Sequence, residues 1–218
     1  MALTGCATRQ LASSTAAPDS HPSAHAGKSV SATESLLKLK QGNLRFANSA
    51  VSQGKPNAAK RAETAQHQQP YAVVVGCSDS RTSPELLFDQ NLGDLFVVRT
   101  AGNLVDDIGL GSIEYAVEHL GSRLIVVLGH ERCGAVSAAL KSDSAPGHVN
   151  TLVRNIQPAV HNTKGKSGDP VENAVAENAR LVAAHIRQKA ELGALGAQVQ
   201  IIPAVYDLDS GKVKWLTP

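Results

Sequence analysis

Apolar residues along this chain follow two rhythms. Short unbroken runs at Tyr71–Val75 (YAVVV), Asp94–Val98 (DLFVV), Arg123–Gly129 (RLIVVLG) and Val199–Leu208 (VQIIPAVYDL) are rich in β-branched residues. They read as strands, and the continuous valines of the first predict burial on both faces, as in a parallel sheet. Between the runs, apolar positions recur at helical spacing. Ser31 and Glu34 form a capping box for a helix with Leu36, Leu37, Leu39, Leu44 and Phe46 on its inward side, and a polar loop follows. Ser83 and Pro84 are placed to start a helix through Glu85 to Phe88. Ser112 can cap one through Ile113 to Leu120, after Gly109 and Gly111. Cys133 opens a further helix. Asp169, Pro170 and Glu172 start a long amphipathic helix bearing Val175, Leu181, Val182 and Ile186, and Asp209–Lys212 (DSGK) turns the chain into VKWL. This alternation predicts an α/β fold with a mostly parallel central sheet flanked by helices on both faces.

Residues 1–30 break the pattern. Rich in Ala, Ser, Thr, Pro and His without periodicity, they read as a mobile tail, which leaves 31–218 as a single domain. Within the tail, LTGC (Leu3–Cys6) resembles a bacterial lipoprotein processing box in which Cys6 would carry lipid. Only Met1 and Ala2 precede it, whereas such a signal carries an apolar segment of ~7–15 residues. A cytoplasmic protein and a periplasmic lipoprotein with a truncated start both stay open. Charge removes other classes. With 21 Lys+Arg against 19 Asp+Glu the net charge is +2, and the basic residues are scattered, so nucleic-acid binding has no support. No apolar stretch reaches the ~18–20 residues of a membrane-spanning helix.

The three cysteines, Cys6, Cys77 and Cys133, do not form a disulfide framework for a chain this long, which points to metal binding or thiol chemistry. Two strand endings carry the chemistry. The first is Gly76–Arg81 (GCSDSR), and the second is Leu124–Cys133 (LIVVLGHERC), where a histidine precedes a cysteine by three residues. In an open parallel sheet, ligands gather beyond the carboxyl ends of the strands, so Cys77 and His130 are expected to be neighbours. Cys133, at a helix start whose dipole favours thiolate, would face the same crevice. Two thiolates and an imidazole suit zinc, and three protein ligands leave a fourth position open, as in catalytic sites. Asp79 would stand beside the ligands, held ionised by a bidentate pair with Arg81. Alone, a cysteine ending a strand is more often a core residue, and an Asp and Arg two apart are usually a solvated pair worth ~0–1 kcal/mol. It is their combination that indicates a site.

Cys77–Arg81 (CSDSR) with His130–Gly134 (HERCG) resembles the beta-class carbonic anhydrases. The similarity continues in Arg99–Asn103 (RTAGN), Ser112–Val117 (SIEYAV) and the ending AVYDLDSGKVKWL. The resemblance implies a Rossmann-like sheet of about four parallel strands with an antiparallel edge strand. It implies one Zn²⁺ per chain on Cys77, His130 and Cys133, with Asp79 and Arg81 as the catalytic dyad. Gln68, reaching across from a partner subunit, would line the substrate pocket with Phe96, Tyr115 and Gly134, which implies a homodimer or dimer of dimers with shared sites. Val74 stands where the bicarbonate-regulated branch has tryptophan, which favours the open-site branch, and Ala135 replaces a glycine common in relatives. The implied activity is zinc-dependent reversible hydration of carbon dioxide to bicarbonate and a proton by attack of zinc-held hydroxide. A carbon disulfide or carbonyl sulfide hydrolase and a non-catalytic zinc-stabilised binding module are the alternatives. A thiol redox protein is disfavoured by the lack of C-x-x-C.

Overall fold

The protein is described by a computed structural model over residues 30–52 and 58–217. The expected tail up to residue 29 and the Leu3–Cys6 box lie outside the described residues. Among the described residues, β1 (Ala72–Cys77), β2 (Leu95–Thr100), β3 (Leu124–His130), β4 (Gln200–Tyr206) and β5 (Val213–Trp215) form one sheet in the order β2-β1-β3-β4-β5. The first four run parallel, and β5 pairs antiparallel with β4. The chain leaves β1 for β2 on one side and then returns to β3 on the other. The strand order therefore reverses between β1 and β3, the place where open α/β sheets form their ligand crevice. Both of these strands are buried throughout, which explains their unbroken valine runs. As an edge strand, β2 stays largely half-buried.

The helices are α1 (Ala32–Ala47), α2 (Ala58–Thr64), α3 (Pro84–Leu87), α4 (Asp107–Glu118), α5 (Gly134–Lys141), α6 (Val149–Thr163) and α7 (Pro170–Lys189). Alternation along the central strands divides the core in two. Ala72, Val74, Leu124, Val126 and Leu128 pack with Leu39 of α1 and with Leu87 and Phe88 at α3. Val73, Val75, Ile125 and Val127 pack with Ile113 and Val117 of α4 and with Val182 and Ile186 of α7. A third cluster, around Val136, Val153, Ile156 and Val175 of α5, α6 and α7, encloses Cys77 and Cys133. Each fully buried aliphatic side chain contributes roughly 1.5–3 kcal/mol, so this two-sided sheet is the main source of stability.

The capping box of α1 is present: Ser31 Oγ accepts from the Glu34 N–H at 3.2 Å, and Glu34 Oε2 accepts from the Ser31 N–H at 3.0 Å. Its inward face differs from expectation. Leu39 is fully buried, Leu36 and Phe46 partly so, whereas Leu37 and Leu44 are exposed. The helix meets the core along Ala32, Ser35, Leu39, Gly42 and Asn43, of which Ala32, Ser35 and Gly42 are small enough to bring its backbone close. A Cβ on Gly42 would lie 1.7 Å from the Phe88 carbonyl oxygen. The expected polar loop contains α2. Ser112 is not a cap, because α4 begins earlier, at Asp107, where the Asp106 carboxylate accepts from the Gly109 N–H at 2.9 Å. Acidic groups at that end also suit the helix dipole. Ser112 Oγ instead donates to the Ile108 carbonyl inside the helix. The start of α7 is as expected, with Asp169 accepting from the Glu172 N–H at 2.9 Å. No described helix is long and apolar enough to cross a membrane.

Candidate metal centre

The switch point brings the two unusual strand endings together. Cys77 is the last residue of β1, His130 the last of β3, and Cys133 the N-cap of α5. One sulfur from each cysteine and one ring nitrogen of His130 all lie within 4.8 Å of one another, and all three residues are buried. His130 Nδ1 sits 2.9 Å from the Glu131 carbonyl, an acceptor that places the proton on Nδ1. Nε2 then offers its lone pair to the cluster, and this buried atom has no hydrogen-bond partner.

The surroundings of the Cys77 sulfur favour negative charge. Cys77 Sγ accepts from the Gly102 N–H at 3.3 Å and the Asp79 N–H at 3.4 Å. Its thiol is held far below the ordinary range, first by the Cys133 S–H that donates to it and then by these two amides. Cys133 is shifted the opposite way, by its bond to Cys77 and by burial, although the N–H groups of Val136 and Ala135 face its sulfur. Two sulfurs sharing one proton beside an unpartnered imidazole nitrogen form a donor set that a cation would complete by displacing that proton. Sulfur with nitrogen suits zinc, and the residues present fit that ion.

Asp79 and Arg81 also meet as expected. The carboxylate accepts from the Arg81 N–H at 3.0 Å, from Nε at 2.9 Å and from Nη2 at 2.7 Å. These bonds, the side-chain ones foremost, hold the Asp79 carboxyl well below the usual carboxylate range. Asp79 Oδ2 stands 3.9 Å from His130 Nε2, so the ionised carboxylate faces the cluster without being bonded to it.

The bracing roles of Arg99, Thr82 and Asn178 had no place in the sequence reading, although Arg99 and Gly102 lie in the RTAGN stretch, Arg99–Asn103. Arg99, at the end of β2, donates to the carbonyls of Cys77 at 2.8 Å and Asp79 at 2.7 Å. Thr82 Oγ1 bonds the same two carbonyls. Asn178 of α7, buried, donates to the Gly102 carbonyl at 2.8 Å and so fixes the peptide whose neighbouring N–H reaches Cys77. Gly102 has φ +73°, and a Cβ there would lie 2.9 Å from Ile156, so only glycine suits the position. A polar residue ending an apolar run, as Arg99 does, was the available sign. Asn178 left none.

The remaining expected pocket residues lie elsewhere on the chain. Phe96 pairs with Val73, four residues before Cys77 and hence about 13 Å away along the strand. Its ring centroid is 6.4 Å from that of Tyr115. Gln68 is exposed beside a cavity of about 530 Å³ lined by Thr64, Glu85, Leu92 and Leu95. Only Gly134 adjoins the cluster, next to Cys133, and the space where its Cβ would be is open.

The fold and site define a class: a parallel α/β protein with a candidate two-sulfur, one-nitrogen metal centre at its topological switch point. Residues 72–213 match the family described as carbonic anhydrase. A carbonic anhydrase of Mycolicibacterium smegmatis is 39% identical over 183 residues, covering 81% of this chain and 89% of the relative. Carbonic anhydrase 2 of Mycobacterium tuberculosis is 40% identical over 182 residues, 80% of this chain and 87% of its own. The structure of a Coccomyxa beta-carbonic anhydrase in complex with acetazolamide matches with a TM-score of 0.63 at 28% identity, over 81% of this chain and 83% of that one. A structure from a study of two tetrameric beta-carbonic anhydrases of Sordaria macrospora shares the fold, with a TM-score of 0.66 at 24% identity over 73% of this chain and 90% of that one. The chain belongs to the beta-class carbonic anhydrase family. These comparisons do not favour the sulfur-substrate hydrolase or the non-catalytic module.

Proposed function

We infer that this chain catalyses the reversible hydration of carbon dioxide to bicarbonate and a proton, with one zinc ion per chain held by Cys77, His130 and Cys133. The observation that carries the reading is the meeting of these three side chains beside the Asp79–Arg81 pair, in a chain of this family. Zinc, when bound, supplies the Lewis acidity that makes hydroxide available near neutral pH, a property known for carbonic anhydrases generally. The protein's part is to position and to hold charge. With both oxygens engaged by Arg81, Asp79 stays ionised and is kept from acting as a further ligand. It would accept a hydrogen bond from the attacking hydroxide and so turn a lone pair toward the substrate carbon. Arg99 and Thr82 hold the carbonyls of Cys77 and Asp79, so the loop carrying ligand and acid does not drift.

A second copy completes the pocket in this reading. The half-buried apolar edge β2 and the exposed Tyr115 and Ile108 of α4 form a surface that suits another chain. Phe96 lies about four strand residues from Cys77, with Tyr115 beside it, and in this reading these two and Gln68 would serve the partner's cluster.

Stopped-flow hydration of carbon dioxide tests the function. Zinc-loaded protein is expected to turn over at pH 8 and above. Asp79→Asn should lose about 10²–10⁴-fold in kcat while keeping its zinc, the range for a positioned acid or base. An inactive zinc-loaded parent, or an Asp79→Asn variant with parental turnover, would contradict the assignment.

A further inference from the structure

The two residues between His130 and Cys133 are tied to the hairpin that ends the sheet. Arg132 has φ +50°, a left-handed conformation that residues with a Cβ rarely adopt. The turn lies directly before Cys133, whose sulfur stands within 4.8 Å of a His130 ring nitrogen. Arg132 is gripped from outside: Nη1 and Nη2 each donate to one oxygen of Asp209, both at 2.8 Å. Asp209 lies in the turn between β4 and β5, which is rigid in its own right, since Asp207 Oδ1 accepts from the N–H groups of Asp209 at 2.9 Å and Ser210 at 2.8 Å. The neighbouring Glu131 repeats the tie. Its N–H donates to the Tyr206 carbonyl at 3.0 Å, and its Oε2 accepts from the Leu208 N–H at 3.2 Å. The carboxylates of Glu131, Asp207 and Asp209 gather within 4.8 Å of one another, and the guanidinium of Arg132 already supplies their counter-charge. Arg81 Nη2 reaches the Arg132 carbonyl at 3.4 Å, which links this turn to the Asp79–Arg81 pair as well.

We propose that Arg132 and Asp209 are positioning residues for the metal centre: their bidentate pair holds position 132 left-handed and so keeps Cys133 in ligating register with His130. The proposal rests on the zinc reading above. Because both side chains are at least half exposed, their loss should leave the fold intact and act on metal retention.

The test measures zinc loss to a chromophoric chelator from the holoenzyme and four variants, with metal analysis before the chase and thermal melts as a folding control. Asp209→Ala and Arg132→Ala should each release zinc about tenfold faster, at the low end for partners standing behind metal ligands. Arg132→Gly should retain zinc like the parent, because glycine adopts the left-handed turn without a clamp. Asp209→Ala combined with Arg132→Gly should be rescued to the parental rate. Parental retention by Asp209→Ala would overturn the proposal. So would an Arg132→Gly variant, or the double variant, as leaky as Arg132→Ala, since charge or hairpin stability would then be responsible. A parent that carries no zinc would instead remove the metal reading itself.

Discussion

The carboxyl end of β1 and β3 and the outer edge formed by β2 and α4 are opposites in construction. At the first, Cys77, His130 and Cys133 are buried, and the surrounding carbonyls are held by Arg99, Thr82 and Asn178. At the second, the apolar Ile108 is 80% exposed and Tyr115 46% exposed. The difference suggests a division of work: one chain can assemble a donor set alone, while the apolar side chains proposed above as pocket walls face outward. Ligand geometry must hold to tenths of an ångström and is served by burial. A surface shared between copies must first be exposed.

The largest effect should come from the buried end. Cys133→Ser is expected to lower bound zinc from one per chain to a small fraction and to bring carbon dioxide hydration to background, read by metal analysis and stopped flow. Full zinc occupancy in that variant would break the contrast from its buried side. Next, Ile108→Asp with Tyr115→Arg should convert the proposed dimer to monomers in sedimentation velocity. Turnover should fall on the order of tenfold or more while zinc stays bound, because the pocket walls are lost and the ligands are not. A monomer with parental turnover would show that the pocket is complete within one chain.

Much of the buried end could be read from the sequence, and less of the rest. The valines of β1 and β3, the three candidate ligands and the Asp79–Arg81 pair announce themselves through unusual local order, a polar constellation ending an apolar run. Helix starts at Ser31 and Asp169 were equally local. The missed helix α6 was not: Val149–Thr163 has β-branched residues, three asparagines and Pro158 inside it, and is held by packing of Val153, Ile156 and Ala159. Asp106 outcompeted Ser112 as a cap because Gly109 and Gly111 are accommodated within α4, where composition alone suggests a break. Asn178 and the Arg132–Asp209 pair act through contacts distant in sequence, 77 residues apart for the last, and no local pattern encodes them.

Two smaller predictions sharpen the contrast by leaving the centre alone. Gly42→Ala forces a Cβ against the Phe88 carbonyl on the face of the sheet away from Cys77, and should cost about 1–3 kcal/mol in urea unfolding with zinc binding unchanged. The smallest effect is the pH response of the α1 cap. Hydrogen bonds from Ser31, first its side chain and then its backbone, lower the Glu34 carboxyl below its ordinary value. The folded value being the lower one, the cap's contribution is complete above the unfolded value of about 4.3 and fades as pH drops through the folded one. Thermal melts of the parent and Glu34→Gln should therefore differ slightly at neutral pH and converge near pH 3. A constant difference would place the effect elsewhere.

The most direct measurement is anomalous diffraction on either side of the zinc absorption edge from crystals of the purified protein. One peak per chain is expected, bounded by Cys77 Sγ, His130 Nε2 and Cys133 Sγ. A zinc-replete crystal with no peak there, or with its zinc elsewhere, would contradict the account.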